Sequence, residues 1–440
     1  MNSLSHPIFT AVADDDSGAT DLAGMLADQG LRTVLLIDLP EPADYERWTA
    51  GQDAVITGAG TRAITPRAAY ERTRSAVKML QSARPAALEI KYCSTFDSTT
   101  EGNIGPSIDA AMDEMGESFT IALPALPVNG RTTYMGCHFV HRQLLSDSPM
   151  RNHPLTPMTD PNLVRHLQSQ TRRKVGLAAI PFITGSAAVL QRELERLRAD
   201  GIEIAIVDCT NDRELETICE AIAGMRLITG SSAPAMKLPH IWRRLGMLAR
   251  TQVPIDARTG DGEGSGFFIV AGSCSEATRR QNAWAVANGA KLYHLEAEAL
   301  LWCGDGGADA IEPVAAELRA GHTCLLSISG EPEEVRRVQD KAAAAGMSVA
   351  ESGLKIAERL AGVVRSIVEQ QQPRGLLAAG GETSSAISRK LELGALQVGK
   401  NIEPGVPLCR SLGRFRLPVV LKSGNFGSDD FYLRARQRLE

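Results

Sequence analysis

Short apolar, strand-like runs alternate with helical stretches along almost the whole chain, and this alternation constrains the fold more than any other feature. The segment Pro7 to Ala13 is apolar, closes on acidic and small residues, and leads into a stretch rich in alanine and leucine. That is a strand, a loop and a helix. The pattern recurs at Leu31 to Ile37, Asp53 to Thr57, Ala87 to Lys91, Phe119 to Leu123, Val175 to Ala178 and Glu203 to Val207. Repeated alternation of this kind predicts a mostly parallel sheet flanked by helices.

The chain is longer than one hydrophobic core supports, since it has 440 residues, so two domains are expected. Its character changes between Pro234 and Gly266, where the glycine-rich stretch Thr259 to Gly266 reads as a linker. The expected division is residues 1–245, a linker over 246–266, and residues 267–440. Past the linker a second series opens with strand Phe267 to Ala271, a turn over Gly272 to Ser275, and helix Glu276 to Asn288. Strands are also expected at Thr323 to Ile328, Gly375 to Ala379 and Pro418 to Lys422. The fold class is therefore α/β, with two domains of mostly parallel sheet.

A formal charge of -5 and a pI near 6.0 provide no broad positive field, which argues against a nucleic-acid partner. The N-terminus lacks a basic stretch followed by an apolar run, and no span reaches membrane length without charges, so a cytoplasmic protein is expected. The eight cysteines are far apart, with no CxxC pair and no His/Cys cluster at zinc spacing. They are expected to be reduced thiols.

In open α/β sheets, ligands collect where strands end at their carboxyl side. The first strand is followed by Asp14, Asp15 and Asp16. One carboxylate suffices to cap the next helix; three beside a cleft suggest a polyol-binding or base role. Later strand ends carry Thr61-Arg62, then Lys91 to Thr99 with Asp97 and Ser98, then Glu101 to Gly105 with Asn103. Lysine at the end of a buried strand needs a partner, either Asp97 or an anionic ligand. Arg131 lies in a Pro- and Gly-shaped loop, Pro124 to Thr132, and could clamp a carboxylate. Arg62, Lys91 and Arg131 together fit a small acid rich in hydroxyls.

The C-terminal half carries glycine-and-hydroxyl turns instead: Gly272 to Ser275, Gly380 to Ser384 and Lys422 to Gly427. Such turns let backbone N–H groups approach phosphate oxygens. Two look-alikes fail. The glycines of 259–266 precede a strand instead of following one, and Gly394 to Asn401 nearly spells a P-loop but has Asn401 at the Ser/Thr position and follows a helical pattern.

These motifs resemble the four-carbon acid sugar kinases, a family with a substrate-binding N-terminal domain and a nucleotide-binding C-terminal domain. Ala13 to Asp21 is similar to the family's ADD-x-x-GA-x-D, with Asp16-Ser17 where Leu-Thr or Phe-Thr is common. Lys91 to Gly105 resembles K-x-x-ST-x-DST-x-x-GN-x-G, and Pro124 to Val140 resembles P-x-x-GR-x-x-x-x-G-x-x-x-V. His153 to Asp160 resembles HPLTPM-x-D of the 3-oxo-tetronate kinase branch. The three C-terminal turns resemble GS-x-S, GGET and KSG-x-FG.

The resemblance implies transfer of the ATP γ-phosphate, with magnesium, to the C4 hydroxyl of a 3-oxo-tetronate at a cleft between the domains. It implies Asp14, Asp15 and Asp97 as catalytic candidates and Arg62, Lys91, Ser98, Asn103 and Arg131 as sugar-acid contacts. Ser273, Ser275, Gly380, Gly381, Glu382, Thr383, Gly424 and Asn425 are the implied ATP contacts. Metal ligands stay unassigned, and a homodimer is compatible with the family. A threonate or erythronate kinase is the nearest alternative. A nicotinamide-dependent hydroxy-acid oxidoreductase would need GxGxxG after a strand, which is absent, and a small-acid-binding protein without catalysis gives no reason for the phosphate-type turns.

Overall fold

Strands form where apolar runs can be covered on both faces. The computed structural model describes residues 6–62, 64–153, 156–248, 265–328 and 330–439. The chain divides into two compact units, Met1–Val253 and Pro254–Glu440. Of the expected linker, residues 249–264 lie outside the described ones.

In the first unit the strands are β1 (Phe9–Ala13), β2 (Thr33–Leu36), β3 (Ala54–Gly58), β4 (Ala87–Lys91), β5 (Thr120–Leu123), a small antiparallel set β6 (Arg131–Tyr134), β7 (Cys137–Val140) and β8 (Gln143–Leu144), then β9 (Val175–Ala178), β10 (Ile204–Val207) and β11 (Leu227–Gly230). Eight of them form a parallel sheet in the order β2-β3-β1-β4-β11-β5-β10-β9. The central strands β1, β4, β5, β10 and β11 are buried along their whole length, as expected of parallel strands covered by helices on both sides. Trp242, fully buried, packs on Phe9 with ring centroids 5.8 Å apart and donates its indole N–H to Ala223 O.

The register of this sheet builds the site. Ala13 pairs with Gly58 on one side and Lys91 on the other, so the loops after β1, β3 and β4 leave one edge together. Inside β4 one residue departs from the apolar pattern. Glu89 is fully buried and neither carboxyl oxygen has a hydrogen-bond partner.

The second unit holds β12 (Phe267–Ala271), β13 (Lys291–His294), β14 (Thr323–Ser327), β15 (Gly375–Ala379), β16 (Ala395–Glu403), β17 (Val406–Ser411) and β18 (Pro418–Lys422), ordered β13-β14-β12-β15-β18-β17-β16. All pairs are parallel except those of β17, which runs antiparallel to both β16 and β18. The P-loop look-alike runs directly into β16, so its lysine and asparagine sit on an extended ladder and not in a phosphate-wrapping loop. Among the described residues, no helix is long and apolar enough to cross a membrane.

Candidate active site

The three aspartates after β1 divide their work. Asp15 caps the helix Asp16–Asp28, accepting from Gly18 N at 2.6 Å, which is the ordinary role expected of one carboxylate. Asp14 accepts two parallel bonds from Arg62, at 2.9 and 3.0 Å. The third guanidinium nitrogen of Arg62, Nη1, lies 3.0 Å from Asp15 and 3.9 Å from Asp97. The chain is stitched here as well: Asp14 N donates to Lys91 O, and Thr61 N donates to Asp14 O.

Arg62 is therefore not a free cation awaiting a substrate carboxylate. It is the counter-ion of an internal acidic cluster. Burial opposes its charge, but Asp14 and Asp15 outweigh that and hold it protonated. Burial raises the pKa of Asp14, helped by the neighbouring Asp15 charge and opposed by Arg62 and Lys91, so this carboxylate is more basic than an ordinary aspartate.

Lys91 is 5% exposed. Sequence reasoning gave it either Asp97 or an anionic ligand as partner; the structure surrounds it with Asp14, Asp15 and Asp21, none within ion-pair distance among the described residues. Burial depresses its pKa, and those three carboxylates more than restore it. Its ammonium lies under Gly18, where an added Cβ would come within 2.2 Å of Nζ. Glycine is required at that point by close approach.

Asp97 is aimed by an unusual backbone. Phe96 has φ of +56°, a left-handed conformation that is strained for a bulky residue, and its ring is locked between Tyr92 and His166. One oxygen of Asp97 accepts from Thr95 Oγ1 at 2.5 Å, and the other has only the distant Arg62. Behind the loop, His138 spans Thr133 Oγ1 and Ser94 O at 2.9 and 2.8 Å. Burial pushes its pKa down to about 4, so it is a neutral brace.

Asp14, Arg62, Lys91, Asp97 and Asn103 share the wall of a partly open cavity of ≈ 350 Å³ counted with its mouth. Asn103 anchors this wall. Its amide nitrogen donates to Thr61 O and Ile64 O at 2.5 and 2.6 Å, leaving a buried Oδ1 without a partner. Two expected contacts are not in the wall. Ser98 Oγ accepts from Gln170 and donates to Thr99 O. Arg131 opens β6 and donates to Asn129 O, on the hairpin that His138 braces. The three cations grouped in the sequence thus do not form one cluster, because Arg62 is neutralised and Arg131 stands apart.

Sequence reasoning missed Gln170 and His138 as supports. Gln170 holds both Ser98 and Gly105 N, and a lone glutamine after a helix carries no signal. The HPLTPM-type stretch contributes Met158, whose sulfur receives Ser98 N at 3.5 Å; Pro154 and Leu155 lie outside the described residues.

The C-terminal turns converge because β12, β15 and β18 are neighbours running the same way. An added Cβ on Gly272 would lie 1.9 Å from Thr383 Oγ1, and on Gly424 2.1 Å from Ser273 Oγ. Gly380 has φ of +128°, a conformation closed to other residues, and starts the helix Gly381–Lys390 without a side-chain cap. The first N–H groups of that helix, at Gly381, Glu382 and Thr383, have no intrahelical acceptor and suit an anion. Ser275 caps the helix Glu276–Ala287, and its hydroxyl donates to Gly424 O at 2.8 Å. Glu382 and Asn425 are exposed. Glu382 is the one acidic residue of these turns, which otherwise offer backbone amides, hydroxyls and the Lys422 ammonium.

For metals, one group among the described residues brings three ligand atoms within 4.8 Å of one another: His294 at the end of β13, Glu296 just after it, and Glu334 in the helix Pro332–Ala344. Two of the three are exposed.

Two family models match the chain. Residues 9–238 match the family model described as a sugar-binding N-terminal domain, and 268–432 match a nucleotide-binding C-terminal domain. A 3-oxo-tetronate kinase of Pseudomonas savastanoi is 38% identical, covering 99% of this chain and 98% of that protein. One from Burkholderia multivorans is 38% identical, covering 100% and 99%. The crystal structure of Haemophilus influenzae protein HI1011 superposes with a TM-score of 0.78 at 31% identity, covering 98% of this chain and 100% of that one. The chain therefore belongs to the four-carbon acid sugar kinase family, in its 3-oxo-tetronate kinase branch.

Proposed function

We propose that this protein is an ATP-dependent kinase that phosphorylates the C4 hydroxyl of a 3-oxo-tetronate. The observation that carries the proposal is full-length similarity to 3-oxo-tetronate kinases in a chain that keeps both a carboxylate-lined cavity and a glycine-lined cradle. Residues 1–245 would bind the sugar acid and 267–440 the nucleotide, with 246–266 as the connection.

Phosphoryl transfer needs positioning and charge stabilisation more than covalent chemistry from the protein. Asp97 is the carboxylate best suited to the attacking hydroxyl, because one of its oxygens is not committed to a strong partner. Asp14 and Asp15 are engaged by Arg62 and by the helix cap, which suits them to fix Arg62 and Lys91 in the wall. Lys91 is the cation nearest to being free for the acid's carboxylate, with Asn103 Oδ1 as an acceptor for a hydroxyl. In the reaction the C4 oxygen bonds to the γ-phosphorus, the bond from that phosphorus to the β-bridging oxygen breaks, and the hydroxyl proton passes to Asp97. ADP leaves.

The uncapped start of Gly381–Lys390 and the turns at Ser273, Ser275 and Gly424 fit a polyphosphate, whose negative charge suits amide and hydroxyl donors. Magnesium, when bound to the phosphates, would shield their charge; Glu382 is the one carboxylate in the turns that could reach it. The test is an ADP-release assay over four-carbon acids, oxidised and unoxidised at C3. Turnover with the 3-oxo acid above that with threonate and erythronate supports the proposal, and turnover confined to the unoxidised acids contradicts it.

A further inference from the structure

The turn Lys422 to Gly427 opens on a buried cation that sequence reasoning did not name among the nucleotide contacts. Lys422 ends β18 beside Ala379 of β15 and is 2% exposed. Its ammonium has one hydrogen bond, a long 3.3 Å contact to Gly424 O within its own turn. That carbonyl already accepts from Ser275 Oγ and Thr278 Oγ1, at 2.8 and 2.9 Å. No carboxylate lies within 4.0 Å of the ammonium among the described residues.

The neighbouring charges are directed elsewhere. On the following loop Asp429 pairs with Arg280 and Asp430 accepts from Ser428. Glu403 of β16 pairs with Arg434 and accepts from Ser428. Arg279, on the helix that Ser275 caps, faces Glu331. Glu382, at the start of the next helix, is exposed, with its carboxylate against Gly353. Across β15 and β12 the strands end in alanine, and the turns that follow bring glycines, serines, Cys274 and Thr383, with Glu382 as their one carboxylate.

A buried ammonium without a counter-ion costs several kcal/mol and persists where a ligand supplies the missing charge. We propose that Lys422 is the fixed positive charge of the cradle and contacts a phosphate oxygen of the bound nucleotide. This rests on the nucleotide-binding assignment of the C-terminal unit and adds to it the residue that reads phosphate charge. Burial lowers the lysine's pKa to about 8 in the free protein. A phosphate beside it reverses that shift, so nucleotide binding near pH 8 takes up a proton and weakens as pH rises toward 9.

The experiment measures binding of ADP and of adenosine by calorimetry to the full-length wild type, Lys422→Met and Lys422→Arg. Loss of a charge-assisted contact predicts a drop in ADP affinity on the order of 10- to 100-fold in Lys422→Met, with adenosine affinity unchanged. Lys422→Arg keeps the charge and recovers part of the loss. Equal ADP affinity in wild type and Lys422→Met overturns the inference while leaving the nucleotide assignment intact. Parallel loss of ADP and adenosine binding assigns Lys422 a structural role and also overturns it. Wild type unable to bind ADP removes the nucleotide assignment itself. Should the variants not fold, the wild type still decides: ADP binding at pH 8, run in buffers of differing ionisation heat, must show proton uptake, and its absence contradicts the proposal.

Discussion

The two candidate sites carry charge in opposite ways. The N-terminal cavity is crowded with full charges that largely neutralise each other, Arg62 among Asp14, Asp15 and Asp97, with Lys91 held at longer range. The C-terminal cradle is almost free of charge, built from glycines and hydroxyls around one unmatched lysine. A dense charge network fixes directions, as suits the orientation of one hydroxyl on a small polyol. Neutral donors close to the backbone accept any phosphate geometry and leave recognition to approach distance.

The comparison can be broken most forcefully at Asp97. Replacement by asparagine is expected to lower kcat by about 10²- to 10⁴-fold, the usual range for a positioned general base, while ADP affinity stays within twofold. An assay of ADP release beside calorimetry separates the two effects. Loss of ADP binding in this variant would erase the distinction between the sites.

Next in size is Arg62→Met. Asp14 and the half-exposed Asp15 then lose their counter-ion, and urea unfolding should show a loss of about 1–3 kcal/mol, since breaking a partly buried pair leaves charge behind. Among the described residues the cradle has no ion pair of this kind to break. There Gly424→Ala acts through space alone, placing a Cβ 2.9 Å from Ser273 Cβ and closer still to its hydroxyl. The expected result is destabilisation of about 1–3 kcal/mol, or an ADP affinity reduced by a comparable factor, with sugar-acid binding unaffected.

A pH experiment sharpens the contrast further. Glu89, buried in β4 beneath the charged site, has its pKa pushed up by burial to about 8, from an ordinary 4.5. Between those values the unfolded chain ionises while the folded one stays protonated, so this group's contribution to stability is present at pH 4.5 and lost as pH rises to 8. Glu89→Gln should therefore match the wild type near pH 4.5 and exceed it by a few kcal/mol at pH 8 in urea unfolding. A constant difference at both pH values would show that Glu89 finds a partner when ionised.

How much was legible differs between the regions for physical reasons. The strands at Ala87–Lys91, Phe267–Ala271 and Gly375–Ala379 stand out as apolar runs bounded by turns, and the structure forms them with those bounds. The short β11 and the antiparallel pair β16 and β17 were not read, and β17 follows no βαβ rhythm. The glycine turns were visible since only glycine tolerates such contacts, as Gly272 against Thr383 illustrates. The charged cavity was only half visible. Sequence names the ionisable groups, but whether Arg62 reaches outward to a ligand or inward to Asp14 depends on backbone contacts distant in sequence, such as those Asn103 makes to Thr61 O and Ile64 O.

The central claim is that one chain joins a phosphate cradle to a hydroxyl-orienting cavity for a four-carbon keto acid. The most direct measurement is product analysis by phosphorus and carbon NMR after incubation with ATP, magnesium and 3-oxo-tetronate. The account predicts a single ester with phosphate coupled to C4 and one ADP formed per ester. ATP hydrolysis without an ester, or phosphate on any other carbon, would contradict it.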